Sequence, residues 1–335
     1  MTIDQPSLPL AFPKTFPRGQ RANRVLAGDR IDAAGRKVLR KLFMEMAGHQ
    51  ASVLSGTDPE AAHDMRVTVR RMRAALDLFE DFLPHRATKT QVHALKQLGG
   101  LLGEVRDLEV MLAGAQAYLQ SLAKTQQLAF APLPDFLQAR QSAARGPLLA
   151  LLEGAEFADY LQASIRFLSE DPGTTPAPVK PGRPGRVCEL VPGLIHERFG
   201  VLRTFEAQLT GLSLEQLHEL RGAVKRLRYA IECFQEPLGP QARLLLACVK
   251  QVQDHLGWLN DANVAARMVQ EFLQQHETGQ SEQAAASRIS SVPFLTYLTR
   301  MLERRDELVR TFPEVWASFD TFDFRQRLGR TLARL

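Results

Sequence analysis

The hydrophobic residues of this chain recur with helical spacing from about residue 28 to the C-terminus. Apolar side chains return every three or four positions, which is the period of an α-helix with one buried face. Runs of alternating β-branched residues, which would indicate strands, are almost absent. The pattern predicts an all-α protein with helical segments at residues 28–55, 57–84, 88–122, 136–152, 157–168, 194–209, 213–235, 241–276, 282–310 with a break at Pro293, and 324–335.

One helical stretch, residues 63–79 with the sequence HDMRVTVRRMRAALDLF, carries two distinct stripes. At about 100° per residue the cationic side chains form one narrow column, and the apolar side chains form a second stripe. The column comprises His63, Arg66, Arg70 and Arg73, and the stripe comprises Met65, Val69, Met72, Leu76 and Phe79. Arg71 lies outside the column. Like charges stacked along a helix repel each other, so the column indicates a bound polyanion that offsets the repulsion.

The same stretch occurs again 155 positions downstream, as LHELRGAVKRLRYAIECF at residues 217–234. The cations keep their register, and so does the apolar stripe. The matching positive residues are His218, Arg221, Lys225, Arg226 and Arg228, and the matching stripe is Leu220, Val224, Leu227, Ile231 and Phe234. A single basic helix is usually only a solvated face. Two copies in register favour a shared function.

The repeat and the proline positions predict how the chain is divided. Residues 1–27 are rich in proline and form an extended N-terminal arm. A first helical half covers residues 28–170, in which Pro132 and Pro134 break the chain. A Pro/Gly-rich linker, residues 171–193, separates it from a second helical half at residues 194–335.

Composition narrows the possible classes of protein. The 335 residues carry 42 Lys and Arg against 37 Asp and Glu, a net charge of +5, so the clustering of the cations matters more than their excess. The three cysteines form no disulfide framework, which favours a reducing, cytoplasmic location. No run approaches the roughly 20 apolar residues of a membrane helix. We expect no membrane contact.

The two basic stretches resemble the CHAD family, the conserved-histidine α-helical domain. Both match the pattern H-x-x-R-x-x-x-[RK]-R-x-R, and each is followed by a second signature. After Lys96, residues 102–110 read LGEVRDLEV; after Lys250, residues 256–264 read LGWLNDANV. These resemble the family's L-G-x-x-R-D-x-x-V, except that Asn260 stands where the pattern has Arg. The resemblance covers the chain from about residue 28 to its end.

The resemblance implies a fold and a ligand. The expected fold is two pseudo-symmetric helical bundles, of about four main helices each, around a basic groove. The expected function is binding of inorganic polyphosphate, with association to cytoplasmic polyphosphate granules and to other granule proteins. No cofactor or metal is expected, and no enzymatic activity. The expected polyphosphate-binding residues are His63, Arg66, Arg70, Arg71, Arg73, Lys96, Arg106, His218, Arg221, Lys225, Arg226, Arg228, Tyr229 and Lys250.

The residue types fit that ligand. The planar fork of arginine binds two phosphate oxygens at once, and lysine acts as a point charge. Tyr229 lies close to the second basic stripe and can donate its hydroxyl. Asp77 and Glu232 follow Arg73 and Arg228 by four positions, so we expect each carboxylate to hold its arginine in place. The remaining histidines follow no pattern and are interpreted as surface or core residues; they are His49, His85, His93, His196, His255 and His276.

Two other functions remain open from the sequence. A nucleic acid would also be attracted to the cations, but bases need aromatic stacking platforms, and apart from Tyr229 the basic stripes carry none. The His63-Asp64 pair resembles a ligand pair of metal-dependent phosphohydrolases, which would act on polyphosphate or phosphate esters. The repeat has His218-Glu219 there, and the neighbouring arginines would repel a divalent ion. Both are weaker interpretations than polyphosphate binding.

Overall fold

The computed structural model describes residues 24–58, 60–169, 185–281 and 290–335, with only the backbone at 276–281. These residues form twelve α-helices and two 3-10 helices, η1 (Glu80–Phe82) and η2 (Glu206–Gln208), without a strand among them. The α-helices are α1 (Ile31–Ser55), α2 (Ala61–Leu78), α3 (His85–Ser121), α4 (Lys124–Phe130), α5 (Pro132–Glu153), α6 (Ala155–Ser169), α7 (Val187–Arg203), α8 (Leu214–Cys233), α9 (Gln235–Leu238), α10 (Gln241–Ser281), α11 (Val292–Phe319) and α12 (Phe322–Leu332). The prediction of an all-α fold is confirmed.

Two prolines that were expected to break the chain lie at helix boundaries, each within the first two residues of a helix. Pro132 is the first residue of α5, and Pro293 is the second residue of α11. The first N–H groups of a helix have no partner within it, so the missing N–H of proline costs nothing there. Helix α11 also continues past the predicted end at 310, through Pro313, to Phe319.

The predicted linker differs from the structure at its C-terminal end. Residues 187–193 belong to α7, which includes Pro192 within the helix. Residues 171–184 of that linker lie outside the described residues, as do residues 1–23 of the predicted N-terminal arm. Val25, at the C-terminal end of the arm, is buried.

The chain divides into two compact units that interleave along the sequence. The first is Met1–Gly103 with Gly146–Val187, and the second is Glu104–Arg145 with Cys188–Leu335. Helices α3 and α5 each contribute residues to both units. The sequence repeat, by contrast, divides the chain into consecutive halves.

In the first unit, α1 packs against α2 and α6. Gly35 of α1 lies so close to the buried Phe79 ring that a Cβ there would come within 2.9 Å of it. The buried Arg36 donates to the Phe167 carbonyl, and Arg40 donates to the Leu168 carbonyl at 2.8 Å. These two arginines satisfy carbonyls in the last turn of α6, which lack partners within the helix.

In the second unit, α10 is the central helix and packs against α8, α11 and α12. The buried His255 of α10 forms a 2.8 Å hydrogen bond with the Leu308 carbonyl of α11. His255 is thus a core residue, as one of the two sequence interpretations has it. Aromatic rings fill the end of the unit where α11 meets α12, and Phe319 lies 4.7 Å from Phe324 between ring centroids.

No helix in the described part of the chain is long and apolar enough to cross a membrane.

Candidate functional site

Helix α2 presents its cations because its apolar stripe is buried. Met65, Val69, Met72, Leu76 and Phe79 are all at most 2% exposed, which confirms the predicted buried face. The cationic column lies on another side of the helix and is only partly buried. Arg73 is exposed, whereas His63, Arg66 and Arg70 are half-buried. Arg71, outside the column, is half-buried as well. Burial of the apolar stripe thus fixes the direction in which the four side chains of the column point.

Two glycines of α3 lie beside the α2 column, and a Cβ at Gly99 would come within 3.3 Å of the Val69 side chain. A Cβ at Gly99 would lie 3.7 Å from Nη1 of Arg73, and one at Gly103 would lie 4.0 Å from Nε of Arg66. The glycines are four residues apart, so they share one face of α3. Sequence reasoning noted Gly103 only as part of a motif. Two glycines four residues apart on one helix were the signal in the sequence for a close contact between helices.

The two α3 residues predicted to bind differ in their surroundings. Lys96 is exposed and forms no ion pair with any described residue. Arg106 donates to Oε2 of Glu109 at 3.2 Å, one turn further along α3. By the division above, Lys96 belongs to the first unit and Arg106 to the second. Arg106 is therefore a cation already bound by a carboxylate.

Helix α8 repeats the design of α2 in the second unit. Ser213 and Gln216 form a capping box: Oγ of Ser213 accepts from the Gln216 N–H at 3.2 Å, and the Gln216 side chain accepts from the Ser213 N–H at 2.8 Å. The capping residue is the serine predicted from the sequence. The stripe at Leu220, Val224, Leu227, Ile231 and Phe234 is fully buried, as expected. His218 and Arg226 are exposed, and Arg221 and Lys225 are half-buried.

Two neighbouring side chains of α8 hold Arg228. Its Nε lies 3.0 Å from Oε1 of Glu232, and its guanidinium lies 5.0 Å from the centre of the Tyr229 ring. The Arg228 side chain is only 13% exposed, and Glu232 has the positioning role predicted for it. Tyr229 is 7% exposed and provides a surface beneath Arg228. For the corresponding pair on α2, Arg73 and Asp77, the described contacts include no ion pair.

A small cleft opens between α8 and α10 within the second unit. Its polar lining consists of His218 and Arg221 from α8 and of Asn260 and Asn263 from α10. Four leucines, at positions 214, 217, 256 and 259, complete it. The cleft combines a cation, a histidine and two carboxamides, all of which can donate hydrogen bonds to an anion. Asn263 was not predicted as a site residue.

The two asparagines replace an ion pair. Aligning residues 102–110 with 256–264 matches Asn260 to Arg106 and Asn263 to Glu109. Arg106 and Glu109 are joined at 3.2 Å, so the second repeat has lost a cation and its carboxylate together. The substitution leaves the local net charge unchanged, and neutral donors now line the cleft.

Lys250, predicted from its place before the second signature, is 63% exposed and pairs with Asp254 at 2.5 Å. That carboxylate lowers its availability to other anions. No group of three or more His, Cys, Asp or Glu side chains that could hold a metal occurs in the described part of the chain.

Comparisons with known proteins give one family and one fold. The CHAD domain family model matches residues 37–270, a range that contains every predicted site residue. The crystal structure of the CHAD domain from the plant Ricinus communis is similar at 23% identity, covering 91% of this chain and 93% of that chain, with a TM-score of 0.63. PptA from Streptomyces chartreusis is similar at 17% identity, covering 86% and 99%, with a TM-score of 0.65. A search of the curated proteins found no match.

Proposed function

This chain belongs to the CHAD domain family, and on that premise we propose that it binds inorganic polyphosphate through the cations of α2 and α8. One observation carries the proposal. Each repeat buries a complete apolar stripe and so directs a column of basic side chains off another side of the helix, about 120° around from the stripe. Repeating cations at fixed spacing suit a polymer of repeating anions.

The surroundings of the columns support a ligand made only of phosphate. The Tyr229 ring is buried beneath Arg228 and cannot stack on a base. Arg73 and Arg226 are exposed and form no ion pair with any described residue. Guanidinium groups in such positions can bind phosphate oxygens through paired hydrogen bonds. Affinity then comes from the number of contacts, without recognition of a base sequence.

The cleft with His218, Arg221, Asn260 and Asn263 contributes one phosphoryl position. Arg221 supplies the charge, and the carboxamides supply uncharged donors that place an oxygen without further repulsion between cations. We interpret the protein as a binding protein that carries out no reaction. Granule association follows from polymer binding, since a protein that binds the polymer is retained where the polymer accumulates.

The test is a pair of charge reversals, Arg66→Glu on α2 and Arg221→Glu on α8. A hydrogen bond between charged groups contributes about 1.5–3 kcal/mol, so each reversal is expected to weaken binding of long polyphosphate by roughly ten- to a hundredfold. Arg330→Glu on α12 is the matched control, because Arg330 is exposed and the substitution changes the net charge equally. Titrations at several salt concentrations should show a steep log-linear loss of affinity.

The same titrations decide between the alternatives. RNA of equal charge, run beside polyphosphate, should bind more weakly; tighter binding of RNA would favour a nucleic-acid function. Phosphate release is measured with and without Mg²⁺ or Mn²⁺, and we expect none. Metal-dependent release that disappears with His63→Gln would establish a hydrolase. Normal binding by both folded charge-reversal variants would refute the proposal.

A further inference from the structure

The N-terminal half of α3 carries an exposed basic face of which the family motifs include only Lys96. Residues 82–103 contain no Asp or Glu. Five basic side chains lie in this run, all of them exposed: His85, Arg86, Lys89, His93 and Lys96. Only Lys96 was predicted as a site residue, and the two histidines were interpreted as surface or core residues without a functional role.

These side chains share one face of the helix. At about 100° per residue, all five fall within an arc of about 100°. Gly103, whose Cβ would lie 4.0 Å from Arg66 of α2, falls at the edge of this arc, and Gly99 next to Arg73 falls about 40° beyond that edge. The basic face of α3 is therefore continuous with the face that borders the α2 column. All of these residues belong to the first unit.

The cations of this face are not compensated by carboxylates. None of the five forms an ion pair with a described residue, whereas Lys250 of α10 pairs with Asp254. The acidic groups that flank the run in sequence are Glu80 and Asp81, which open η1, and Glu104, which follows Gly103; all three are exposed. Stacked cations at helical spacing repel one another unless an anion is present.

We propose that His85, Arg86, Lys89 and His93, here named the α3 track, bind the part of a polyphosphate chain that extends beyond the α2 column. The proposal rests on the proposed function. At 1.5 Å per residue, the α2 column from His63 to Arg73 is about 15 Å long. The α3 face from His85 to Lys96 adds roughly 16 Å. A short polymer fills the first and a long polymer fills both.

The track belongs to the first repeat alone. At the offset that matches Lys96 to Lys250, the four track positions correspond to Gly239, Pro240, Arg243 and Ala247. Only Arg243 keeps a charge. A preference for long chains is therefore assigned to the first repeat, while the α8 column and its cleft bind short and long chains alike.

The experiment compares a fourfold variant, His85→Gln with Arg86→Gln, Lys89→Gln and His93→Gln, against the unmodified full chain. The ligands are a polyphosphate shorter than about 15 Å and one longer than about 30 Å. Exposed ionic contacts are individually weak, so affinity for the long polymer should fall about three- to tenfold, and its salt dependence should become shallower. Affinity for the short polymer should change less than twofold. The control is Arg243→Gln with Arg267→Gln, which removes two exposed cations of α10.

Each outcome has one meaning. A loss confined to the long polymer supports the track. An equal loss for both lengths, or no loss for either, refutes it while the α2 and α8 reversals still test the proposed function. Failure of the unmodified protein to bind either polymer refutes the proposed function itself. Because every substituted residue is exposed, the variant should keep its helical circular dichroism; Lys89→Glu alone provides a second test with a single change.

Discussion

Arg228 and Arg226 lie two residues apart on α8 and were both predicted to bind polyphosphate, yet the structure gives them different surroundings. Arg228 is 13% exposed, pairs with Glu232 and covers the Tyr229 ring. Arg226 is exposed and forms no ion pair with a described residue. We predict that Arg228→Ala mainly destabilises the fold and that Arg226→Ala mainly weakens binding.

The expected cost for Arg228→Ala follows from its contacts. Because both side chains of its ion pair are less than a quarter exposed, the pair contributes more than the 0.3–0.5 kcal/mol of a solvated helix pair, about 1 kcal/mol. The contact with the Tyr229 ring adds roughly 0.5–1 kcal/mol. The unfolding free energy should therefore fall by about 1.5–2 kcal/mol. Arg226→Ala should change it by less than about 0.5 kcal/mol, as is usual for exposed positions.

Urea unfolding followed by circular dichroism measures the first quantity, and titration with long polyphosphate measures the second. For Arg226→Ala we expect a roughly threefold loss of affinity, the size of one exposed ionic contact. The control is Tyr229→Phe, which removes only the hydroxyl and keeps the ring that lies beneath Arg228. An Arg228→Ala variant that is as stable as the unmodified protein but does not bind would refute the argument, because it would make Arg228 a direct ligand contact.

Two further predictions concern stability. Gly35→Ala should lower the unfolding free energy by about 1–3 kcal/mol, because the new Cβ would lie 2.9 Å from the Phe79 ring. Gly48→Ala in the same helix meets nothing within 4 Å and should raise the unfolding free energy by about 0.5–1 kcal/mol. Both are measured by urea unfolding, and equal effects would contradict the packing argument. Burial raises the pKa of Tyr160 above its usual value, because it disfavours the charged phenolate. The stability contributed by the buried, neutral Tyr160 is therefore complete below about pH 10, the pKa of tyrosine in the unfolded chain, and is lost as pH rises further. Tyr160→Phe should reduce this alkaline loss in a pH series of thermal melts, and an unchanged pH profile would contradict it.

The sequence alone determined the type and approximate positions of the main helices and their repetition. Helical periodicity and the buried stripes of α2 and α8 can be read from residue spacing, because the 3.6-residue period places every third or fourth side chain on one face. The Ser213 cap could be predicted for a similar reason, since a cap depends on residues within one turn. The exact helix starts near prolines were harder to predict, because a proline in the first turn of a helix resembles a helix break until the boundary is known.

Only the three-dimensional structure decided which cations are buried and which of them pair with a carboxylate three or four residues away. The sequence offers both Arg73 and Arg228 a carboxylate four residues later, and it gives Lys96 and Lys250 the same motif position. Arg228 pairs with Glu232 and lies over the Tyr229 ring, whereas Arg73 forms no ion pair with a described residue. Lys250 is paired with Asp254, and Arg106 with Glu109. The close approach of Gly99 and Gly103 to the α2 arginines also depends on how two helices pack. Charge and periodicity are properties of local sequence, whereas burial and partners depend on side chains that other turns and other helices bring into contact.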